Sequence, residues 1–340
     1  MESLDLRVLA DALAWHQAGH AVTLVTVVET WGSAPRPSGA LLALRDDGHL
    51  SGSVSGGCVE DDLIARTRAS VRSGDTSTKS TPSMVTYGVS KDEAARFGLP
   101  CGGTLRLLQE PLMDTAWLKE LLTRTAAHEL VTRTVHLPTG RVTLTPGLRT
   151  SKARFTEHEW SSTFGPQWRL LLVGAGQLSQ AVAHIATLLD FAVLICDPRE
   201  EYASAWPHQS ARVNHLPGMP DDVVRDMQPD AHTAIVALTH DPKLDDMALM
   251  EALKSNAFYV GALGSRRNQT ARKARLGMHF GLSEIELSRL HGPVGLDIGA
   301  QTPAEIAVSI VAHIVEHKYC AGATLSANKT IAESSTRCCL

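Results

Sequence analysis

The sequence predicts an α/β protein of two domains: an N-terminal mixed α/β domain, then a doubly wound parallel-sheet domain. Three observations carry this. The chain has 340 residues, 44% of them hydrophobic and 20% charged, enough for two ordinary globular cores. Its second half opens on the apolar run Leu170-Leu171-Leu172-Val173. Gly174-Ala175-Gly176, a helical stretch and a second apolar run ending in Cys196-Asp197 follow, which is the strand–turn–helix–strand order of a dinucleotide-type unit. Its first half instead breaks into short strand-like runs separated by Gly, Ser and Pro turns.

In the first domain, Leu6, Leu9, Ala10, Leu13 and Ala14 recur at helical spacing, so residues 4–18 read as an amphipathic helix, capped by Gly19. Residues 21–29 are rich in Val and Thr and read as a strand. The loop Thr30–Gly39 holds Arg36 between Pro35 and Pro37. Residues 40–44 form a second strand, and Asp46-Asp47-Gly48 is a hairpin signal. Leu50 to Ile64 is the stretch around which this domain is organised. It begins as a small-residue strand, tightens at Gly56-Gly57, presents Cys58, and opens a helix over 59–72 with Glu60, Asp61 and Asp62 in its first turn. Acidic residues suit a helix N-terminus, and a glycine pair allows close approach of a ligand. Further on come a strand over 84–87 and a second cysteine corner, Cys101-Gly102-Gly103, which leads into a strand over 105–111. A helix over 114–126 and two strands within 130–145, joined at Pro138-Thr139-Gly140, complete the domain. Neither Cys58 nor Cys101 sits in a C-x-x-C pair or at ligand spacing to a histidine, which argues against a structural zinc. The boundaries expected are 1–150, an aperiodic linker over 151–166, a second domain over 167–322 and a disordered tail over 323–340.

In the second domain, Gly174 makes the tight turn and Gly176 admits a pyrophosphate at a helix N-terminus. Asp197 stands where a ribose-binding acid is expected, and Ser179 replaces the third glycine of the fingerprint. The fold expected is Rossmann-like. The strand over 232–238 ends in Thr239-His240-Asp241, at the carboxyl edge of the sheet, where ligands bind in such folds. A helix over 245–254 follows. The strand 258–260 ends before Arg266 and Arg267, which could clamp a phosphate or carboxylate. Thr302-Pro303-Ala304-Glu305 is a capping box that starts a helix running to about Lys318.

A net charge of −4 leaves no basic footprint for nucleic acid or a membrane surface. No run reaches the roughly 18 apolar residues of a membrane span. Six irregularly spaced cysteines do not read as a disulfide framework, and the N-terminus lacks a signal-peptide pattern. The expectation is a cytoplasmic protein.

The chain resembles the XdhC/CoxI family of accessory proteins for molybdenum hydroxylases. The resemblance rests on Gly32-Ser33-Ala34-Pro35-Arg36, the run Gly52–Glu60, and Cys101-Gly102-Gly103 in the first domain. In the second it rests on Gly174-Ala175-Gly176, Cys196-Asp197-Pro198-Arg199, Thr239-His240-Asp241, Tyr259–Arg267 and Gly292–Glu305. It covers roughly residues 5–320. It implies a chaperone that binds the molybdenum cofactor (molybdopterin or its nucleotide form) as cargo. The cofactor is held while its sulfido ligand is installed, then inserted into an apo molybdenum hydroxylase such as xanthine dehydrogenase or an aldehyde oxidoreductase. A cysteine desulfurase and a molybdenum cofactor biosynthesis protein are the other implied partners, and homo-oligomerisation is left open. The implied cofactor-binding residues are Arg36, Gly56, Gly57, Cys58, Cys101, Gly102, Gly103, Gly174, Gly176, Asp197, His240, Arg266 and Arg267. Cys58 and Cys101 are candidates for contact with molybdenum or sulfur. No turnover by the chain alone is expected. An NAD(P)-dependent oxidoreductase is the rival: it explains Gly174, Gly176 and Asp197 but leaves both glycine–cysteine corners without a role. A scaffold bridging hydroxylase and desulfurase, without carrying cofactor, is a third reading.

Overall fold

A computed structural model describes residues 3–31, 36–73, 81–88, 104–148, 153–203, 206 and 213–320. The chain divides into two compact units between Pro166 and Gln167.

The first unit contains an antiparallel five-stranded sheet built from β1 (Val22–Trp31), β2 (Leu41–Arg45), β3 (Leu50–Gly52), β4 (Ser83–Tyr87) and β5 (Thr104–Pro111), in the order β3-β2-β1-β5-β4. Its two faces are covered differently. α1 (Ser3–Gln17) lays Val8, Leu9 and Ala12 on one face against Leu24, Leu41 and Ala43. α2 (Cys58–Arg72) lays Val59 and Leu63 on the other, against Val25, Val27, Leu42 and Leu107. Strand alternation sends neighbouring residues to opposite faces, so the central strand β1, buried on both faces from Leu24 to Val28, reads as a Val-rich run broken only by Thr26.

α3 (Ala116–Ala126) leads to a four-stranded antiparallel sheet of β6 (Val131–His136), β7 (Arg141–Pro146), β8 (Arg154–Phe155) and β9 (Glu159–Phe164), ordered β7-β6-β9-β8. Residues 151–166, expected as a linker, are therefore partly core: Trp160 and Phe164 are each 1% exposed, and β9 pairs along the whole length of β6. The alternation of Trp160, Ser162 and Phe164 is a strand signal, but Ser and Thr fill the positions between and beside the two aromatics, which hid it. The two sheets are tied by a buried ion pair. Arg133 on β6 donates to both carboxylate oxygens of Glu110 on β5 at 3.3 and 2.5 Å, with side chains 3% and 7% exposed.

The second unit is a parallel six-stranded sheet of β10 (Arg169–Val173), β11 (Ala192–Cys196), β12 (Val213–His215), β13 (Thr233–Ala237), β14 (Tyr259–Ala262) and β15 (Leu290–His291), ordered β12-β11-β10-β13-β14-β15. This is the doubly wound Rossmann order, with its topological switch between β10 and β13. α4 (Gln177–Leu188) and α10 (Pro303–Cys320) cover one face through Val182, Ala186, Ala307 and Ile310. α6 (Pro220–Met227), α7 (Pro242–Ala252) and α8 (Arg266–Phe280) cover the other through Val223, Val224, Leu249 and Leu276. Two short helices, α5 (Glu200–Ala203) and α9 (Glu284–Ser288), complete the described elements. Residues 323–340, expected as a tail, lie outside the described residues.

Arg133→Met is expected to destabilise the first unit by ~3–5 kcal/mol, because it leaves the Glu110 carboxylate buried without a partner. The double variant Glu110→Leu/Arg133→Met is expected to regain most of that loss. Chemical denaturation of the single and double variants checks both. Equal midpoints for wild type and Arg133→Met would show that the pair does not tie the sheets.

Candidate functional site

The loop Ser53–Gly57, between β3 and α2, is built around one carboxylate. Glu60, in the first turn of α2, turns back and is 6% exposed. Its Oε1 accepts from the backbone N–H groups of Val54 (2.9 Å), Ser55 (2.8 Å) and Gly56 (3.1 Å) and from the Ser53 hydroxyl (2.8 Å). Its Oε2 accepts from the Gly57 N–H at 2.8 Å and from the Ser55 hydroxyl. Burial pushes this carboxyl up, but the converging donors of Ser55, Gly56 and Ser53 outweigh burial and hold it well below the usual carboxylate range.

Gly56 has φ +92° and space around it where a Cβ would stand, so it is the backbone conformation, not crowding, that requires glycine there. The chain then enters α2 at Cys58, whose backbone is described. Gly56 and Gly57, expected to let a ligand approach closely, do not present free N–H groups to it: both are bound to Glu60, whose negative charge opposes an anion at the same place. The signal for this was present, since an acid three residues after the residue preceding the helix is half of a capping box. Arg36 is half-buried at the start of the turn before β2. Cys101, Gly102 and Gly103 lie outside the described residues. A cleft of about 890 Å³ lined by His16, His20, Arg66, Ser83 and Gln109 in the same unit includes no residue of Ser53–Gly57 in its wall.

In the second unit the switch point lies between the ends of β10 and β13. Gly174, φ +110°, packs against Thr239: a Cβ there would stand 3.1 Å from the Thr239 backbone. Gly176 precedes α4 with no heavy atom within 4 Å of the position a Cβ would take. The helix N-terminus is thus open to an approaching anion. Ser179, at the third glycine position, is 1% exposed, and its hydroxyl finds no hydrogen-bond partner among the described residues.

Asp197 is not free for a ribose. Its Oδ2 accepts the Ala175 N–H at 2.8 Å, and Arg199 grips both carboxylate oxygens, Nε and a terminal nitrogen each at 2.8 Å. The Arg199 N–H adds a bond at 3.1 Å. Burial pushes the Asp197 carboxyl up, but Arg199 and the Ala175 N–H more than compensate and hold it below its ordinary value. The motif Cys196-Asp197-Pro198-Arg199 contained the partner two residues on, a pairing the fingerprint alone does not suggest. Its neighbour Cys196 is buried, and burial, then Asp197 and Asp221, push its thiol up to about 12, so it is an inert core residue.

At the end of β13, Thr239 donates its hydroxyl to the buried Asp245 at 2.7 Å, and Arg272 holds the other oxygen of Asp245 at 2.8 Å. This network, which no sequence motif announces, stiffens the loops after β13 and β14. His240 is exposed with φ +63°, and Asp241 caps α7 by accepting the Lys243 N–H at 2.9 Å. Arg266 and Arg267 are exposed in the first turn of α8, with Arg266 3.8 Å from an equally exposed Asp297. Gly174, Gly176 and Asp197 therefore come together at one turn, while His240 and the arginines stand at the ends of other strands.

These features define a two-unit α/β protein whose second unit is a Rossmann domain with an open phosphate turn. The chain belongs to the XdhC and CoxI family: residues 15–88 match the XdhC and CoxI family and residues 170–314 the XdhC Rossmann domain. It is 27% identical over 339 residues to a Bacillus subtilis (strain 168) protein named as a probable xanthine dehydrogenase subunit, covering 92% of this chain and 97% of that one. It is 27% identical over 318 residues to the molybdenum cofactor insertion chaperone PaoD of Escherichia coli (strain K12), covering 91% and 86% respectively. The fold is shared with a crystal structure described as a xanthine dehydrogenase from Bacillus halodurans, at TM-score 0.73 and 24% identity, over 93% of this chain and 96% of that one. No helix among the described residues is long and apolar enough to cross a membrane.

Glu60→Gln is expected to lower stability by ~2 kcal/mol, because the new amide NH2 faces the Gly57 N–H that a carboxylate oxygen accepted. A carboxyl held low in the folded state stabilises above its unfolded value and loses that contribution as pH falls toward the folded one. Wild-type melting temperature should therefore fall more steeply than that of Glu60→Gln between pH 5 and pH 3 (about one unit either side of an ordinary carboxyl). Parallel slopes would show that Glu60 is not the clamp.

Asp197→Ala is expected to cost ~2 kcal/mol with no nucleotide present, since the carboxylate ties the phosphate turn to Arg199. Thermal melts of both proteins, followed by titration with AMP, CMP, GMP and NAD, separate this from ribose binding. An unchanged melt with a lost nucleotide affinity would restore the ribose role.

Proposed function

We propose that this chain carries the molybdenum cofactor as cargo, supports its sulfuration, and inserts it into an apo molybdenum hydroxylase of the xanthine dehydrogenase type. The name of the Escherichia coli relative supports the class of activity, and that of the Bacillus subtilis relative the type of client enzyme. The observation that carries the reading at the level of residues is the Glu60-clamped loop that leads into Cys58. Six donors converge on one carboxylate, so the loop is ordered before any ligand arrives and little conformational entropy is lost on binding. Such a loop suits holding and release. A cysteine at its end would give a soft ligand to a metal or sulfur centre. An anion is better served by the open turn before α4, where Gly176 leaves room and the acid at the turn, Asp197, is neutralised by Arg199, than by Gly56 and Gly57. A cysteine desulfurase and a molybdenum cofactor biosynthesis protein are the partners that this cycle requires, in the cytoplasm.

The nicotinamide-dependent alternative is disfavoured by Asp197, whose carboxylate already holds Arg199 and the Ala175 N–H. His240 and Asp241 also do not form an acid–base pair: one is exposed in a left-handed turn and the other caps a helix.

The test is reconstitution. Purified chain, molybdenum cofactor and a sulfur donor, added to an inactive apo-hydroxylase, are expected to raise that enzyme's activity. The chain alone is expected to be flat with NAD(P)H and a panel of alcohols, aldehydes and hydroxy acids. Cys58→Ala should lose most of the activation while costing on the order of 1 kcal/mol of stability. Full activation by Cys58→Ala would remove that residue from the reading. Steady multiple turnover of a nicotinamide by the isolated chain would replace the reading with an oxidoreductase.

A further inference from the structure

Three histidines far apart in sequence meet in the second unit, away from the turn before α4. His313 and His317 stand one turn apart on α10, on a shared face. His291 is the last residue of β15, held opposite Gly261 of β14 by the sheet register. One ring nitrogen from each of the three lies within 4.8 Å of the other two. We propose that His291, His313 and His317 form a tris-histidine site for a transition-metal ion, zinc(II) being the best fit, with a fourth coordination position left open.

The surroundings are those of a ligand set. A metal-bound histidine is held by its second nitrogen or by packing, which orients the ring. His317 Nδ1 lies 2.9 Å from the His313 carbonyl, which can only accept, so Nδ1 carries the proton and Nε2 keeps its lone pair. His313 Nδ1 is 2.8 Å from the Tyr259 hydroxyl and accepts the Gly295 N–H at 3.3 Å; for Nε2 to be the ligand atom, Nδ1 must take the proton and donate to the Tyr259 oxygen, which passes the longer Gly295 bond to that same oxygen. His291 lies flat on the Tyr259 ring, 4.6 Å between centroids and 2° between planes, and neither of its ring nitrogens has a hydrogen-bond partner among the described residues. Tyr259 is 1% exposed, and its ring packs against all three histidines, so it is a fixed wall for the set.

Burial, then His317 and His313, lower His291 to about 4, and burial lowers His313. Three imidazoles without a thiolate suit zinc, copper and nickel, and three protein ligands with an open position are the arrangement of reactive zinc rather than of closed structural sites. Ligand atoms of a tetrahedral zinc ion, at about 2.0–2.1 Å from the metal, sit ~3.4 Å apart. Closing from the present spacing takes less than ~1 Å of movement at each ring.

The experiment uses the full chain after chelator treatment. Zinc(II) is titrated in competition with a chromophoric chelator, and cobalt(II) is titrated separately as an optical probe. The expected results are one zinc per chain, a zinc-dependent rise in melting temperature, and cobalt ligand-field bands with no thiolate charge-transfer band. His317→Gln and His291→Gln should each weaken zinc binding ~100-fold or more, and Tyr259→Phe ~10-fold, the scale expected of a residue that orients a ligand. If one histidine variant fails to fold, the other carries the comparison. No zinc bound by the wild type, unaltered zinc affinity in a folded histidine variant, or a thiolate band in the cobalt spectrum would each overturn the site.

Discussion

The first unit depends on a carboxylate pointing backwards. At the start of α2, Glu60 could face solvent, as acids in a first helical turn commonly do. Instead it is buried under the loop before the helix and satisfies six donors of that loop. Beyond Ser53, whose N–H still reaches the Leu41 carbonyl of β2 at 3.1 Å, the N–H groups of Val54–Gly56 and Gly57 turn to Glu60 instead of a strand, and left unpaired they would be costly. One side chain supplies what a strand would otherwise have supplied. The path of the chain into Cys58, and so the geometry of the corner that invites a functional reading, follows from it.

The second unit uses the same device twice. Asp197 reaches from the end of β11 to the Ala175 N–H in the phosphate turn, and Asp245 reaches from α7 to the Thr239 N–H at the end of β13. In each case an arginine, Arg199 or Arg272, neutralises the acid from the far side. Buried carboxylates without such partners would be destabilising. With them, the two loops that flank the topological switch are held by charge-assisted bonds, while the space before Gly176 stays open. Rigid walls around an open turn fit a protein that receives a ligand already made and passes it on.

Sequence periodicity set out most of this architecture. The β10–Gly174–α4–β11 unit was legible because fully buried parallel strands must be apolar throughout and because a tight turn at Gly174 tolerates no side chain against Thr239. The amphipathic α1 and the helix after Cys58 were legible for the analogous reason. The elements that escaped are short or disguised. β12 and β15 are three and two residues long, too brief to show a period, and β9 hid its alternation behind Ser and Thr.

The amino-acid order alone thus determined the two-unit plan, the Rossmann class of the second unit and the residues that crowd its phosphate turn. These follow from local rules of burial and backbone freedom. What side chains do with one another was decided only by the tertiary structure. Asp197 looked like a ribose ligand and is a clamp; Gly56 and Gly57 looked like a corner open to a ligand, and their N–H groups are already bound to Glu60. His313 and His317 are one helical turn apart in sequence, but nothing in the sequence joins His291 to them, because the sheet register brings together a strand end and a helix face that the chain keeps more than a whole loop apart. Hydrogen bonds and metal sites depend on distances of a few ångströms between residues remote in sequence, and only the folded backbone sets those distances.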